Sequence, residues 1–227
     1  MKITKKVVIV YGPPGSGKST QAELLERKLG FFHFNTGQYI ENIVHSPTNK
    51  NNPIIRKQKK FFDSGVLCEP AWVLKITKEE AERVARADWN LVFSGSPRTL
   101  FEAFGDKKNI GLLALLEKYY KKEIYFVNLL VKENTSLHRN GNRLICSVCG
   151  LPILSICAGN EHCSFCMGKV YKRTLDKPEI IKVRLEEYRK RTYPIFQMAK
   201  KKKYKVFNIN GELPPYQVYE SIMKKLK

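Results

Sequence analysis

The sequence has 227 residues, a length typical of one large domain with room for a small insert. Hydrophobic residues make up 43% of it, which excludes a disordered chain, and the longest apolar runs are far too short to span a bilayer. The net charge of +20 favours anionic partners, namely nucleotides, nucleic acid or an anionic membrane, although a lysine-rich solvated surface also explains it. The first residues lack the pattern of a signal peptide, so we expect a cytoplasmic protein.

Short apolar strands alternate with helical segments along the chain. The pattern predicts strands at residues 7–11, 31–35, 91–94, 124–131 and 204–209. It predicts helices at residues 19–29, 36–45, 54–64, 70–87, 178–192 and 216–226, and a helical region at 100–121 that is interrupted near Gly105 and Gly111. Residues 46–53 are expected to form a loop, and Pro194 to bend or interrupt the helix before it. The alternation predicts an α/β fold with a parallel sheet of about five strands and helices on both faces.

The turn after the first strand has the pattern G-x-x-x-x-G-K-[ST] at residues 12–19, between a strand and a helix. Glycines let backbone N–H groups point inward at phosphate oxygens, and the helix N-terminus adds partial positive charge. Lys18 is expected to reach the β- and γ-phosphates, and the Ser19 hydroxyl to ligate Mg²⁺. The predicted ATP-binding residues of this loop are Gly12, Gly15, Ser16, Gly17, Lys18, Ser19 and Thr20. The motif alone predicts only that a nucleoside triphosphate binds.

Two C-x-x-C pairs, with 13 residues between them, follow further along the chain. The four thiols, Cys146, Cys149, Cys163 and Cys166, have the spacing of a tetrahedral structural zinc site. A secreted disulfide framework and a redox motif are the rival interpretations, and both fit a reduced P-loop protein less well. Cys157 or His162 could substitute as a ligand, while Cys68 and Cys157 also fit as small apolar residues.

Several segments, in order, resemble the adenylate kinase family. Residues 12–21 are close to its phosphate loop, Phe34-Asn35-Thr36-Gly37 resembles its "STG" segment, and residues 94–99 resemble its "DGFPRT" segment. Asn210-Gly211 resembles the turn against the donor adenine. The arginines that match the family's positions on the two sides of the lid are Arg139, Arg143, Arg173 and Arg184.

This resemblance implies a P-loop kinase fold in three parts. They are a core of residues 1–35, 66–138 and 175–227, a helical arm at 36–65 that binds the nucleoside monophosphate, and a small zinc-binding lid at 139–174. It also implies reversible transfer of the γ-phosphoryl group of ATP, bound with Mg²⁺, to a nucleoside monophosphate, with AMP favoured. We expect a monomer that does not bind a membrane. Nucleic acid is not an expected partner, because residues 147–165 contain no Lys or Arg and only one aromatic residue.

The implied chemistry needs positioning and charge neutralisation rather than a general base, since the acceptor phosphate is already ionised. The residues expected to converge on the transferred group are Lys18, Arg98, Arg139, Arg143, Arg173 and Arg184. Arg139 and Arg143 are also predicted to bind ATP. The predicted acceptor-binding residues are Thr36, Gly95, Arg98, Glu102, Arg173 and Arg184, with Arg98 holding the phosphate through its planar guanidinium.

Four positions depart from the family's pattern. Ser94 and Leu175 stand where the family has aspartate, Glu41 where it has an arginine for the acceptor phosphate, and Glu102 where it reads the adenine with Gln. Drift, compensation by Arg56 or Lys57, or a loss of catalysis that leaves a nucleotide-binding protein would each explain these changes. Because a carboxylate offers only acceptors, Glu102 predicts a weakened AMP preference that admits GMP or another monophosphate such as CMP or UMP.

Overall fold

The computed structural model describes residues 5–153 and 161–226. The strands, in chain order, are β1 (Val7–Tyr11), β2 (Phe32–Phe34), β3 (Leu91–Ser94), β4 (Ile124–Leu130), β5 (Leu144–Cys146), β6 (Pro152–Ile153), β7 (Val170–Lys172) and β8 (Lys205–Asn210). A five-stranded sheet has the order β2-β3-β1-β4-β8 in this part of the chain, and a small sheet has the order β6-β5-β7. All neighbours in the large sheet are parallel, and those in the small sheet are antiparallel.

Helices connect the parallel strands. They are α1 (Lys18–Leu29), α2 (Thr36–His45), α3 (Pro53–Ser64), α4 (Pro70–Arg86), α5 (Leu100–Phe104), α6 (Leu112–Tyr120), α7 (Glu133–Gly141), α8 (Pro178–Glu187), α9 (Pro194–Lys201) and α10 (Pro215–Leu226). Short 3₁₀ turns lie at Pro47–Asn49 and Thr174–Asp176, and a π-helical turn at Tyr188–Thr192 leads from α8 to Tyr193 and α9. Within the described residues, no helix is both long and apolar enough to cross a bilayer.

The central strand β1 is buried on both faces, as its unbroken apolar sequence predicts. Because side chains alternate along a strand, Ile9 faces a core formed with α4, α5, α6 and α9, whereas Val8 faces a core formed with α1 and α10. Val7 lies opposite Leu91 of β3 and Ile124 of β4, so the parallel strands begin together and their carboxyl ends lie at the opposite edge of the sheet. This carboxyl edge is where ligands bind in open parallel sheets.

The helices α2 and α3 have a small core of their own. Ile40 and Val44 of α2 pack with Ile55 of α3 and with Cys68 and Val73. Asparagine side chains cap both helices: Asn35 accepts a hydrogen bond from the backbone of Gln38, and Asn52 accepts from the first residues of α3.

The predicted α/β sheet of about five strands is confirmed, and most predicted elements agree with the structure to within about two residues. The segment 46–53 contains a 3₁₀ turn, and the predicted helix 178–192 is α8 followed by the π-helical turn. Helix α7 and the strands of the small sheet had no counterpart in the prediction. Of the spare cysteines, Cys157 lies outside the described residues.

Candidate active site

The phosphate loop joins β1 to α1 and places Lys18 at the start of the helix. Its ammonium group lies within the loop and donates to the carbonyl oxygens of Gly12 and Pro13, both at 2.8 Å. Gly12, Gly15 and Gly17 all have positive φ, as the motif predicts. The Ser16 hydroxyl is buried and has no hydrogen-bond partner among the described residues. A glycine-rich turn with a lysine and an unpaired buried hydroxyl fits a phosphate group.

Helix α7 packs directly on this loop, which the sequence did not predict. Ser136 Oγ donates to the carbonyl oxygen of Pro14 at 2.5 Å, and Asn140 Nδ2 donates to the carbonyl oxygen of Ser136 at 2.7 Å. A Cβ on Gly15, whose φ is +75°, would lie 2.5 Å from Asn140 Nδ2. Only glycine fits there. The one signal of this contact in the sequence is that Ser136 and Asn140, both small and polar, lie four residues apart and so on one face of a helix.

Arginines from three segments surround Lys18. Burial lowers the pKa of Lys18 well below its ordinary value, and nearby guanidinium groups lower that pKa further. These groups belong to Arg98, Arg184 and Arg143, in order of decreasing effect. The pKa of Arg184 is likewise lowered by its burial, and its charged neighbours include Arg173. The structure therefore gathers five of the six cations that were predicted to converge.

Carboxylates balance part of this positive charge. Asp176 accepts two hydrogen bonds from Arg143, to Oδ2 from Nε at 2.9 Å and to Oδ1 from Nη2 at 2.6 Å, and Oδ1 also lies 3.4 Å from Arg184 Nη1. Glu41 Oε2 accepts from Arg173 Nη2 at 2.8 Å. Arg143 is thus held by two parallel hydrogen bonds, the geometry in which guanidinium groups also bind phosphate, whereas Arg173 and Arg184 each make a single contact with a carboxylate.

Arg139, the sixth predicted cation, has a different setting. Its Nη1 and Nη2 donate to the carbonyl oxygens of Gly211 and Glu212, at 2.8 and 3.3 Å. These carbonyls belong to the turn after β8. The resemblance to the adenylate kinase family predicts that this turn lies against the donor adenine. Arg139 and the Asn210-Gly211 turn thus lie side by side, and Arg139 is not among the charges that act on Lys18.

A cavity lies between α2, α3 and the turn after β3. It is lined by the predicted acceptor residues Thr36, Gly95, Arg98 and Glu102, together with apolar side chains such as Phe62. The Thr36 hydroxyl is buried and has no partner among the described residues. Arg98 Nε donates to the carbonyl oxygen of Gly95 at 2.5 Å. The lining of this cavity therefore includes a guanidinium group and a hydroxyl without a partner among the described residues.

The Glu102 carboxylate is buried and already accepts two hydrogen bonds in this cavity wall. They come from the Arg98 backbone N–H at 2.8 Å and from the Thr99 hydroxyl at 2.9 Å. Burial raises the pKa of Glu102, although these two donors oppose the shift. Each oxygen keeps one lone-pair direction for a ligand.

Ser94, at the carboxyl end of β3, is paired with a histidine that the sequence did not single out. Ser94 Oγ lies 2.7 Å from His33 Nε2, and burial lowers the pKa of His33 to about 4. The imidazole is therefore neutral at neutral pH. Ser94 thus offers a weak oxygen ligand near the phosphate loop rather than a carboxylate.

The four cysteines of the two C-x-x-C pairs come together beside the small sheet. Their Sγ atoms all lie within 4.8 Å of one another, with Cys146 to Cys166 at 3.4 Å and Cys149 to Cys163 at 3.8 Å. Four thiolates about 2.3 Å from a zinc ion would be about 3.8 Å apart, so the set fits a tetrahedral metal. Backbone N–H groups of Val148 and Phe165 point at Cys146 Sγ and Cys163 Sγ, both at 3.4 Å. His162 is not part of the described cluster.

Comparison with known proteins identifies relatives over nearly the whole chain. The family model described as "Adenylate kinase" matches residues 10–204. The chain is 30% identical to an adenylate kinase of Chlamydia pneumoniae over 96% of both chains. It is 31% identical to one of Caldicellulosiruptor bescii over 86% of this chain and 87% of that one. It is 30% identical to one of Borrelia recurrentis over 83% of this chain and 81% of that one.

Proposed function

Because the chain belongs to the adenylate kinase family and is a phosphotransferase of that type, we propose that it transfers the γ-phosphoryl group of ATP reversibly to AMP. The observation that carries this proposal is the convergence of arginines on Lys18 at the carboxyl edge of the sheet. Phosphoryl transfer to an ionised acceptor oxygen demands positioned positive charge and little else. A fixed cluster of cations supplies that charge without reorganisation in the transition state.

The two substrates are assigned to opposite sides of the cluster. The donor phosphates lie in the loop of Gly12 to Thr20, with Arg139 on the side of the Gly211 turn and Arg143 beside Asp176. The acceptor lies in the cavity of Thr36, Gly95 and Glu102, with its phosphate toward Arg98, Arg173 and Arg184. Glycines and backbone N–H groups of the loop hold the donor, and the arginines orient the acceptor oxygen for in-line attack.

Two metals belong to this proposal. Mg²⁺ enters with ATP, where it neutralises phosphate charge, and Ser19 is the residue assigned to ligate it. A structural zinc ion would be held by Cys146, Cys149, Cys163 and Cys166, whose spacing fits that ion and leaves no open position for catalysis. Metal-bound thiolates also agree with the predicted cytoplasmic location, since that compartment keeps thiols reduced. The monomeric state stays a prediction.

The predicted division into core, arm and lid is retained as part of the proposal. The apolar contacts between α2 and α3 support an arm at 36–65, which packs on the core through Cys68 and Val73. The small antiparallel sheet with its cysteines supports a lid at 139–174. Such parts move relative to a core when substrates exclude water from the site.

A second candidate acceptor is GMP, because of Glu102. The amino group and ring N–H of guanine are adjacent donors, and the two free lone-pair directions of the carboxylate suit them. The test is a coupled assay of ADP formation with AMP, GMP, CMP and UMP, on the native protein and on Glu102→Gln. A preference for AMP by orders of magnitude in both proteins would exclude base reading by Glu102.

The proposal as a whole is tested with Lys18→Ala. We expect turnover to fall at least about a hundredfold while circular dichroism and zinc content stay unchanged, because the loop loses its side-chain cation. Lys28→Ala, an exposed lysine at the end of the same helix, is the matched control and should keep native activity. Near-native turnover of Lys18→Ala would overturn the assignment of the loop.

A further inference from the structure

Glu41 and Arg173 form an ion pair between two distant parts of the chain. Arg173 Nη2 donates to Glu41 Oε2 at 2.8 Å, and the two side chains are 22% and 27% exposed. Glu41 belongs to α2, and Arg173 follows the last strand of the small sheet. Among the ion pairs of the described residues, this one alone joins residues 36–65 to residues 139–174.

The pair uses a guanidinium group that faces the phosphate site. Arg173 is close enough to Arg184 to lower its pKa, and Arg184 in turn acts on Lys18. A carboxylate oxygen on Arg173 Nη2 stands where a phosphate oxygen would accept the same hydrogen bond. Asp176 also accepts from Arg143 and contacts Arg184, but it lies only 8 residues before Arg184 in the chain. Glu41 instead approaches from the acceptor side.

We propose that Glu41 is a specificity-determining residue that competes with the acceptor phosphate for Arg173. The inference rests on the proposed function, because it assigns the acceptor phosphate to the arginine cluster. A monophosphate must displace Glu41 from Arg173, and its negative charge must then remain close to the released carboxylate. Glu41 therefore weakens binding of the phosphorylated acceptor and leaves the donor site, on the Arg139 side, unaffected.

The test compares AMP with adenosine, which lacks the phosphate. In Glu41→Gln we expect the Kd of AMP to fall about three- to tenfold, with a parallel fall in its KM, because a neutral amide releases Arg173 more readily. The Kd of adenosine and the KM of ATP should stay within twofold of the native values. Glu82→Gln removes another arginine–glutamate pair, with the exposed Arg86 of α4, and is the matched control expected to change neither constant.

Equal or weaker binding of AMP by Glu41→Gln would overturn the inference. So would an equal change for AMP and adenosine, because that result would mean that Glu41 only supports the shape of the cavity. Binding measured by calorimetry needs no catalysis. If the native protein binds AMP but makes no ADP, the proposed function is refuted. The AMP Kd of the native protein and that of Glu41→Gln can still be compared, and this comparison decides the role of Glu41. Absence of AMP binding in both proteins would refute the inference as well.

Discussion

His33 is a buried histidine whose neutral state the fold requires. Its side chain is 6% exposed, and it pairs with Ser94. Burial lowers its pKa to about 4, from about 6.5 in an unfolded chain. The unfolded chain therefore binds more protons between these two values. The resulting stability is complete above about pH 6.5 and is lost as the pH falls toward 4.

As the pH falls from 7 to 4.5, we expect protonation linked to this single residue to lower the free energy of unfolding by about 2–3 kcal/mol. The glutamine of His33→Gln keeps a polar group for Ser94 but does not titrate. The variant should therefore lose less of its free energy of unfolding between pH 7 and pH 4.5, by this amount. Denaturant unfolding of both proteins at the two pH values is the measurement. Protonation of the zinc ligands affects both proteins alike and cancels in the difference. Equal losses would show that His33 does not titrate in this way.

Glu102 shows which part of a residue's role the sequence could reveal. Thr99-Leu-Phe-Glu102 is a capping box, in which the Thr99 hydroxyl accepts from the Glu102 backbone and donates to its carboxylate. That signal was present in the sequence. The Ser94–His33 and Ser136–Pro14 contacts were not, because they join residues 61 and 122 positions apart. Local patterns identify caps and loops, whereas contacts between distant segments depend on the packed fold.

At the scale of elements, length and amphipathicity decided what was predictable. The strands of the large sheet are buried apolar runs bounded by turns, and all five were predicted. Helix α7 has the sequence ENTSLHRNG, in which polar residues prevail and no side chain caps the start. It is held by its contacts with the phosphate loop. The strands of the small sheet have only two or three residues each, too few for a period-2 pattern.

Gly168 tests the metal centre of the small sheet. A Cβ at this position would lie 2.7 Å from Cys146 Sγ and 2.7 Å from Val148 Cγ2, so one of them must move. In Gly168→Ala we expect zinc affinity to fall at least about tenfold and Tm to drop, because metal binding contributes directly to folding. Zinc retained against a competing chelator, measured by elemental analysis, is the readout.

The control for this change is Gly141→Ala at the end of α7, where an added Cβ would meet nothing within 4 Å. It should retain zinc as the native protein does. Native zinc retention in Gly168→Ala would contradict the expected dependence of the zinc site on the packing of Gly168 against Cys146. Both outcomes are independent of catalytic activity.

At the scale of the whole molecule, positive charge lies at both edges of the sheet. The arginine cluster lies at the carboxyl edge, while the exposed run Lys200–Lys203 lies just before β8, at the amino edge. Strand β8 has six residues, so the two edges are about 20 Å apart. At 0.1 M salt the Debye length is about 10 Å, and charge on the far edge is largely screened from an approaching nucleotide. The net charge of +20 therefore acts on substrates mainly through the site itself.

Because this attraction is electrostatic, we expect catalysis to depend on salt concentration. Between about 100 and 300 mM NaCl, where the Debye length is about 10 Å or less, kcat/KM for AMP should fall while kcat changes little, because salt screens the attraction of the arginine cluster for a dianion. A variant with all four residues of Lys200–Lys203 changed to Gln loses four of the 20 net charges but keeps the cluster. Its slope of log kcat/KM against log salt should match that of the native protein. A much flatter slope in this variant would show that the charge of the whole molecule, rather than that of the site, draws the substrate in.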